Sequence, residues 1–137
     1  MLNDLKDNIH ATAAMHPAEY SATKSDNPII DLQGYESCVF IVSTGAISAA
    51  DGTNTYTFTV EHGDDAALGD ATSAASYLQG SFAVLNSTTA DDVMVSSKVG
   101  YVGSKRYVRL VGTEANTFQG FISAVAILGS PRVAPVA

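Results

Sequence analysis

Tryptophan is absent from the 137 residues, cysteine occurs once, and only seven residues are Lys or Arg. Each scarcity closes a possibility. The single Cys38 allows no internal disulfide, so the fold must be held by its core. A chain this long buries roughly two thirds of its unfolded surface, enough to fold without a metal or disulfide staple. Seven bases against fourteen acids leave a net charge of −7. Affinity for nucleic acid comes mainly from neutralised phosphates, so this balance counts against DNA or RNA as a partner.

Long apolar runs are missing too. The longest, "AVAIL" at residues 124–128, is far short of a membrane span. The opening "MLNDLKDNIHATAAM" carries Asp4 and Asp7 and lacks the continuous apolar stretch of a secretory signal. The expectation is no membrane partner and folding in a reducing cytoplasm. The sequon Asn86-Ser87-Thr88 carries little weight without an export signal.

What is abundant is Ser, Thr, Gly, Ala and Val, with Tyr and Phe as the large residues. Thr, Val, Tyr and Phe suit pleated strands, and Gly suits tight turns. Leu2, Leu5 and Ile9 have helical spacing, so residues 1–16 read as an arm or short helix ended by Pro17. "AEYSATKSDNP" reads as extended linker.

From residue 28 the pattern is β. "PIIDL" is a short strand stopped at Gly34. In "SCVFIVST", Cys38, Phe40 and Val42 share one face, and Val39 and Ile41 the other. Both faces are apolar, which predicts a central strand covered on both sides. In "TYTFTVEH", Tyr56, Phe58 and Val60 alternate with Thr55, Thr57 and Thr59, the pattern of a half-buried strand. Further strands fall around "SFAVL", at Val93–Val99, in "KRYVRLVG" and in "TFQGFISAVAILG", where Phe121 is expected to pack inward. Seven or eight short strands without a helix between them predict an all-β domain: an antiparallel β-sandwich or a jelly-roll-like barrel. The organisation is an arm and linker over 1–27, a β-sandwich over 28–129, and an extended tail over 130–137.

Catalytic patterns are scarce. No G-x-S-x-G, P-loop or G-x-G-x-x-G sequence is present. "EHGDD" joins His62 to Glu61, Asp64 and Asp65, the best place for a metal or acid–base site. It also sits where a strand meets a Gly-containing turn, and Asp collects in turns because its carboxylate bonds the local backbone. Its spacing fits neither an EF-hand loop nor a paired-histidine zinc site. His10 and His16 have no ligand set around them. Asp91 and Asp92 point to opposite faces of a strand and make poor acid–base partners. Cys38 reads as a small buried apolar residue without a histidine partner. No catalytic residue, cofactor or metal is assigned.

The basic residues cluster in "YVGSKRYVRL", which holds Lys105, Arg106 and Arg109. Strand alternation puts Arg106 with Val108 and Leu110 on a core-facing side, and Lys105, Tyr107 and Arg109 on the other. Tyr and Arg are enriched at protein interfaces. Tyr107, Arg109 and Lys105 are therefore candidates for a protein contact. Arg132 in the tail, and Leu5 and Ile9 in the arm, are candidates for contacts between subunits.

Several stretches together carry a resemblance: "LKDNIHATAAMHPAEYSATKSDN", "IDLQGYESCVFIVSTGAI", "VEHGDD", "VGYVGSKRYVRLV" and "AVAILGSPRVAPV". The chain resembles small virion proteins encoded in the head-gene clusters of tailed bacteriophages and prophages. The resemblance spans nearly the whole chain, and "GYVGSKRYVR" and "LGSPRVAPV" are its sharpest parts. It implies a structural component without a catalytic site: a capsid decoration or cement protein on the capsid surface of the virion, bound to the major capsid protein as a dimer or trimer. A head–tail connector or tail-associated protein is the alternative within that class. A carbohydrate- or receptor-binding β-sandwich is the alternative outside it. A metal-dependent hydrolase built on His62 is a third.

Overall fold

The computed structural model describes residues 4–90 and 93–133. Its strands are β1 (Ile9–Tyr20), β2 (Ile30–Asp31), β3 (Tyr35–Ala49), β4 (Thr55–Gly63), β5 (Thr72–Ser73), β6 (Leu78–Gln79), β7 (Met94–Tyr101), β8 (Tyr107–Ala115) and β9 (Gln119–Pro131). All pair antiparallel. One sheet has five strands in the order β1-β9-β3-β7-β6; the other has four, β2-β8-β4-β5. The inward faces of the two sheets share one core, the layered solution expected when each sheet has an apolar face to hide. Of the two all-β architectures open to the sequence, this is the antiparallel sandwich.

The four-stranded sheet follows the sequence pattern closely. Tyr56, Phe58 and Val60 of β4 are buried, and so are Leu110 of β8, opposite Val60, and Val108, opposite His62. Tyr56 is the aromatic hub, with Tyr20, Phe58 and Phe118 around its ring. It lies close against Gly112, where an added Cβ would stand 2.4 Å from the Tyr56 ring and hydroxyl. Glycine is needed there for close approach.

The five-stranded sheet departs from expectation in two places. β3 is central, as its apolar run requires. Cys38, Phe40 and Val42 are buried, but Val39 and Ile41 on the other side are only half-buried. In β9, Ile122, Ala124, Ala126 and Leu128 face the core, while Phe121 is 45% exposed and Val125 40%. The expected inward Phe121 is thus corrected. The pairing of Ile122 with Thr44, and of Ala124 with Val42, sets the phase of β9 and turns Phe121 outward.

The largest correction concerns the N-terminal segment. The arm or short helix expected over 1–16 is a three-residue 3-10 helix, Lys6–Asn8, followed by the twelve-residue strand β1. β1 is the edge of the five-stranded sheet, paired with β9, and Ala14 and Met15 are fully buried. Pro17 does not end an element; it falls within a register shift between Met15 and Ala18, on an edge strand. That is where a sheet tolerates a residue without an N–H. The expected linker is pinned as well. Lys24 exchanges backbone hydrogen bonds with Gly112, and the buried Asn27 donates its side-chain amide to the Leu110 carbonyl at 2.9 Å. The sandwich therefore includes residues from 9 onward, not 28. At the other end β9 runs to Pro131, and the Arg132 amide bonds the Gly34 carbonyl. The remainder of the expected tail, 134–137, and the Asp91-Asp92 pair lie outside the described residues.

Candidate functional site

"EHGDD" folds as the end of β4 and a turn. Glu61 is spent on Arg109. Asp64 and Asp65 donate their backbone amides to Asp70, at 2.9 and 3.2 Å, while the Asp65 carboxylate takes the amides of Ala67 and Gly69. These are backbone-bonding roles. His62 is 5% exposed, with Nδ1 2.7 Å from the Tyr101 hydroxyl and the rings of Tyr77 and Tyr101 beside it. Among the described residues, no group of three or more His, Cys, Asp and Glu is placed to hold a metal ion.

The basic stretch is divided by the start of β8. Tyr107 and Arg109 lie on the strand, half-buried on the outer face of the four-stranded sheet. Arg109 stands directly across from Glu61 in the β4–β8 register and forms an ion pair with it, Nε to Oε1 at 2.6 Å. Lys105 and Arg106 precede the strand, in the loop after β7. The expected placing of Arg106 on the core-facing side is corrected here: outside the pleat, its guanidinium is free to turn outward. It grips Asp31 through two bonds of 2.9 Å, also donates to Gln33, and lies 5.0 Å over the Tyr107 ring. Lys105 pairs with Asp64 at 2.8 Å.

This loop forms one wall of an open cavity of about 520 Å³ at the end of the sandwich. The opposite wall is the β2–β3 turn with the start of β3, from Leu32 to Cys38, and Arg132 reaches in from beyond β9. Two sequence candidates far apart in the chain, Lys105 and Arg132, are thus brought together, and Arg106 joins them. Tyr107 and Arg109 are not part of this wall. Leu5 is 66% exposed and Ile9 half-buried, at the β1 edge of the other sheet.

Tyr101 anchors the loop. Its hydroxyl accepts the Lys105 amide at 3.2 Å while touching His62. Burial, foremost, holds its phenol above the ordinary tyrosine value. At the cavity wall, burial pushes the Cys38 thiol up to about 12, so it stays protonated and is no nucleophile. The hydrogen bond between Lys105 and Asp64 holds the lysine above its usual value and the carboxylate below its own. The Arg106 contact lowers Asp31 in the same way. All these charges persist at neutral pH.

Sequence reasoning missed Arg106, Asn27 and the His62–Tyr101 contact. Arg106 had a signal, since it stands two residues after the turn-like "VGS" and need not obey strand alternation. The other two join residues too distant in the chain for any local pattern.

The fold resembles that of SPBc2 prophage-derived protein YomS. The match covers 90% of this chain and 94% of that one, with a TM-score of 0.51 and 9% sequence identity. No family model matches the chain, and neither does any curated protein sequence. Among the described residues, no helix is long and apolar enough to cross a membrane.

Proposed function

We propose that the chain is a structural virion protein of a tailed bacteriophage, and specifically a decoration or cement protein that binds the assembled head and stabilises it. The observation that carries this reading is the fold likeness to a prophage-derived protein along nine tenths of the chain. The sequence resemblance to phage head-cluster proteins points the same way. A non-catalytic role is supported by the site chemistry. The three cavity cations hold ion-pair partners, Cys38 is a neutral thiol, and His62 is engaged by Tyr101.

The partners in this reading are the major capsid protein and further copies of the chain, as a dimer or trimer. The half-exposed Phe121 and Val125 on one sheet support self-association. A protein that binds only the assembled shell stabilises that state by mass action, even when each copy contributes little.

The test is quantitative mass spectrometry of purified particles. A decoration protein is expected in numbers comparable to the major capsid protein. About a dozen copies or fewer, as a single ring supplies, would move the assignment to a connector or tail-associated protein. Absence from the particle would overturn the virion reading altogether.

A further inference from the structure

We infer that the cavity at the end of the sandwich is a docking pocket for an acidic peptide segment, whose carboxylates bind Lys105, Arg106 and Arg132. That the segment belongs to another virion protein rests on the function proposed above; the pocket's chemistry does not.

The first argument is charge. Three of the chain's seven bases line one cavity, in a protein with twice as many acids as bases, and among the described residues Glu36 is the only acid on its wall. Asp31 and Asp64 hold Arg106 and Lys105 without themselves lining it. They steady the cations while leaving donors over. Arg106 spends Nε and Nη2 on Asp31 and Gln33, and Nη1 is left. Arg132 donates Nε to Glu36, which among the described residues leaves its two terminal nitrogens. Arg donors match a carboxylate in paired, charge-assisted bonds.

The second argument is cost. The pairs at the pocket are solvent-exposed, with side chains roughly 40% to 66% accessible. Exposed pairs are weak, so an incoming carboxylate can share or replace a partner cheaply. The third is shape. About 520 Å³ lies within the roughly 300–1,000 Å³ of small-molecule sites. Leu32 and the uncharged Cys38 offer an apolar wall for the stem of a glutamate beside its carboxylate. Nucleic acid fits less well. Outside the cavity, among the described residues, Lys6, Lys24 and Arg109 each have an acid partner, which leaves the exposed Lys98 of β7 as a single further base, too little for a basic track along a phosphate backbone.

The test is an NMR titration of the isotope-labelled full chain with the peptide acetyl-Glu-Leu-Glu-amide. The uncharged acetyl-Gln-Leu-Gln-amide and inorganic phosphate are titrated in parallel. The glutamate peptide is expected to shift the amides of Gln33, Lys105, Arg106 and Arg132, and the glutamine peptide to leave them in place. Arg132→Gln and Lys105→Gln should each weaken binding roughly tenfold, the loss of one charge-assisted contact. Arg132→Lys should recover part of the loss, and Lys6→Gln should change nothing. Each variant's own spectrum shows whether it is folded, and two separate positions keep the result readable if one is not. Equal binding of the glutamine peptide, shifts away from the cavity, or phosphate binding as tightly as the glutamate peptide would each overturn the inference. Since no particle is involved, failure here leaves the virion reading standing. Absence of the chain from particles would leave the pocket standing.

Discussion

The outer faces of the two sheets are built differently. On the four-stranded sheet, Thr55, Thr57, Thr59, Glu61, Arg109 and Thr113 look outward between buried neighbours, with Tyr107 and Val111 as the larger apolar members among them. Solvent suits such a face. On the five-stranded sheet, Val39 and Ile41 of β3 pair with Ile127 and Val125 of β9, and Phe121 lies further along β9. Antiparallel sheets usually alternate apolar-in and polar-out, and this one keeps apolar residues on both sides. The difference separates a face finished by water from one that retains the composition of an interface.

The sharpest way to break this comparison is to truncate one aromatic on each side of the five-stranded sheet. Phe40→Ala, on the inward face, is expected to cost about 3–5 kcal/mol in urea unfolding. Phe121→Ala should cost under about 1 kcal/mol, because the ring is half in solvent already. Equal losses would mean that the outer face is covered in the folded chain itself.

Next in size is a change inside the four-stranded sheet. Gly112→Ala drives a methyl into Tyr56 and should cost about 1–3 kcal/mol, with partial recovery on adding Tyr56→Leu. If the single variant is neutral, the Tyr56 ring is free to move and the sheet is less tightly packed than its partner.

A smaller contrast separates the face from the cavity. Arg109 and Glu61 are 19% and 25% exposed, whereas the Arg132–Glu36 pair is mostly in water. Arg109→Ala is expected to cost about 1 kcal/mol and Arg132→Ala close to zero, by thermal unfolding at matched salt. The reverse order would mark Arg132 as structural and weaken its case as a docking residue.

The least effect belongs to the β3–β4 turn. Amide and side-chain bonds from Asn54 and Thr53 hold the Asp51 carboxylate down to about 2. A depressed carboxylate stabilises above its unfolded value of about 4, and that contribution fades as pH falls towards about 2. The Asp51 carboxyl resonance should titrate near the lower value, and Asp51→Asn should flatten the dependence of Tm on pH between those limits. A normal titration would show that the turn's hydrogen bonds are not formed in solution.

The contrast between the sheets also explains what the sequence could disclose. β4 was legible because threonine and aromatic residues alternate without a break, so pattern and burial coincide. β1 was not. Leu5 and Ile9 share the spacing of a helix, and Pro17 looks like a terminator until an edge strand with a register shift absorbs it. Phe121 was misplaced because "FISAVAIL" is apolar at nearly every position, and only pairing with β3 selects its inward set. The cavity depended on bringing Arg132 to the β7–β8 loop, and no local signal encodes that meeting. Lys105 and Arg132 were readable as interface residues one at a time, but not as neighbours.

One feature of the topology bears on synthesis. β9 is the partner of both β1 and β3, yet it follows every other strand in the chain. Until Gln119–Pro131 emerges from the ribosome, β1 has no strand to pair with. The four-stranded sheet is complete one strand earlier, once β8 is made. Non-local strand pairing is slow because loop closure precedes any reward. During that interval β1 presents a strand without a single Lys, Arg or Asp, and with one Glu near its end. A nascent chain of this protein is therefore exposed to mispairing with its own siblings on the same polysome, and crowding of ribosomes on its message should lower the soluble yield.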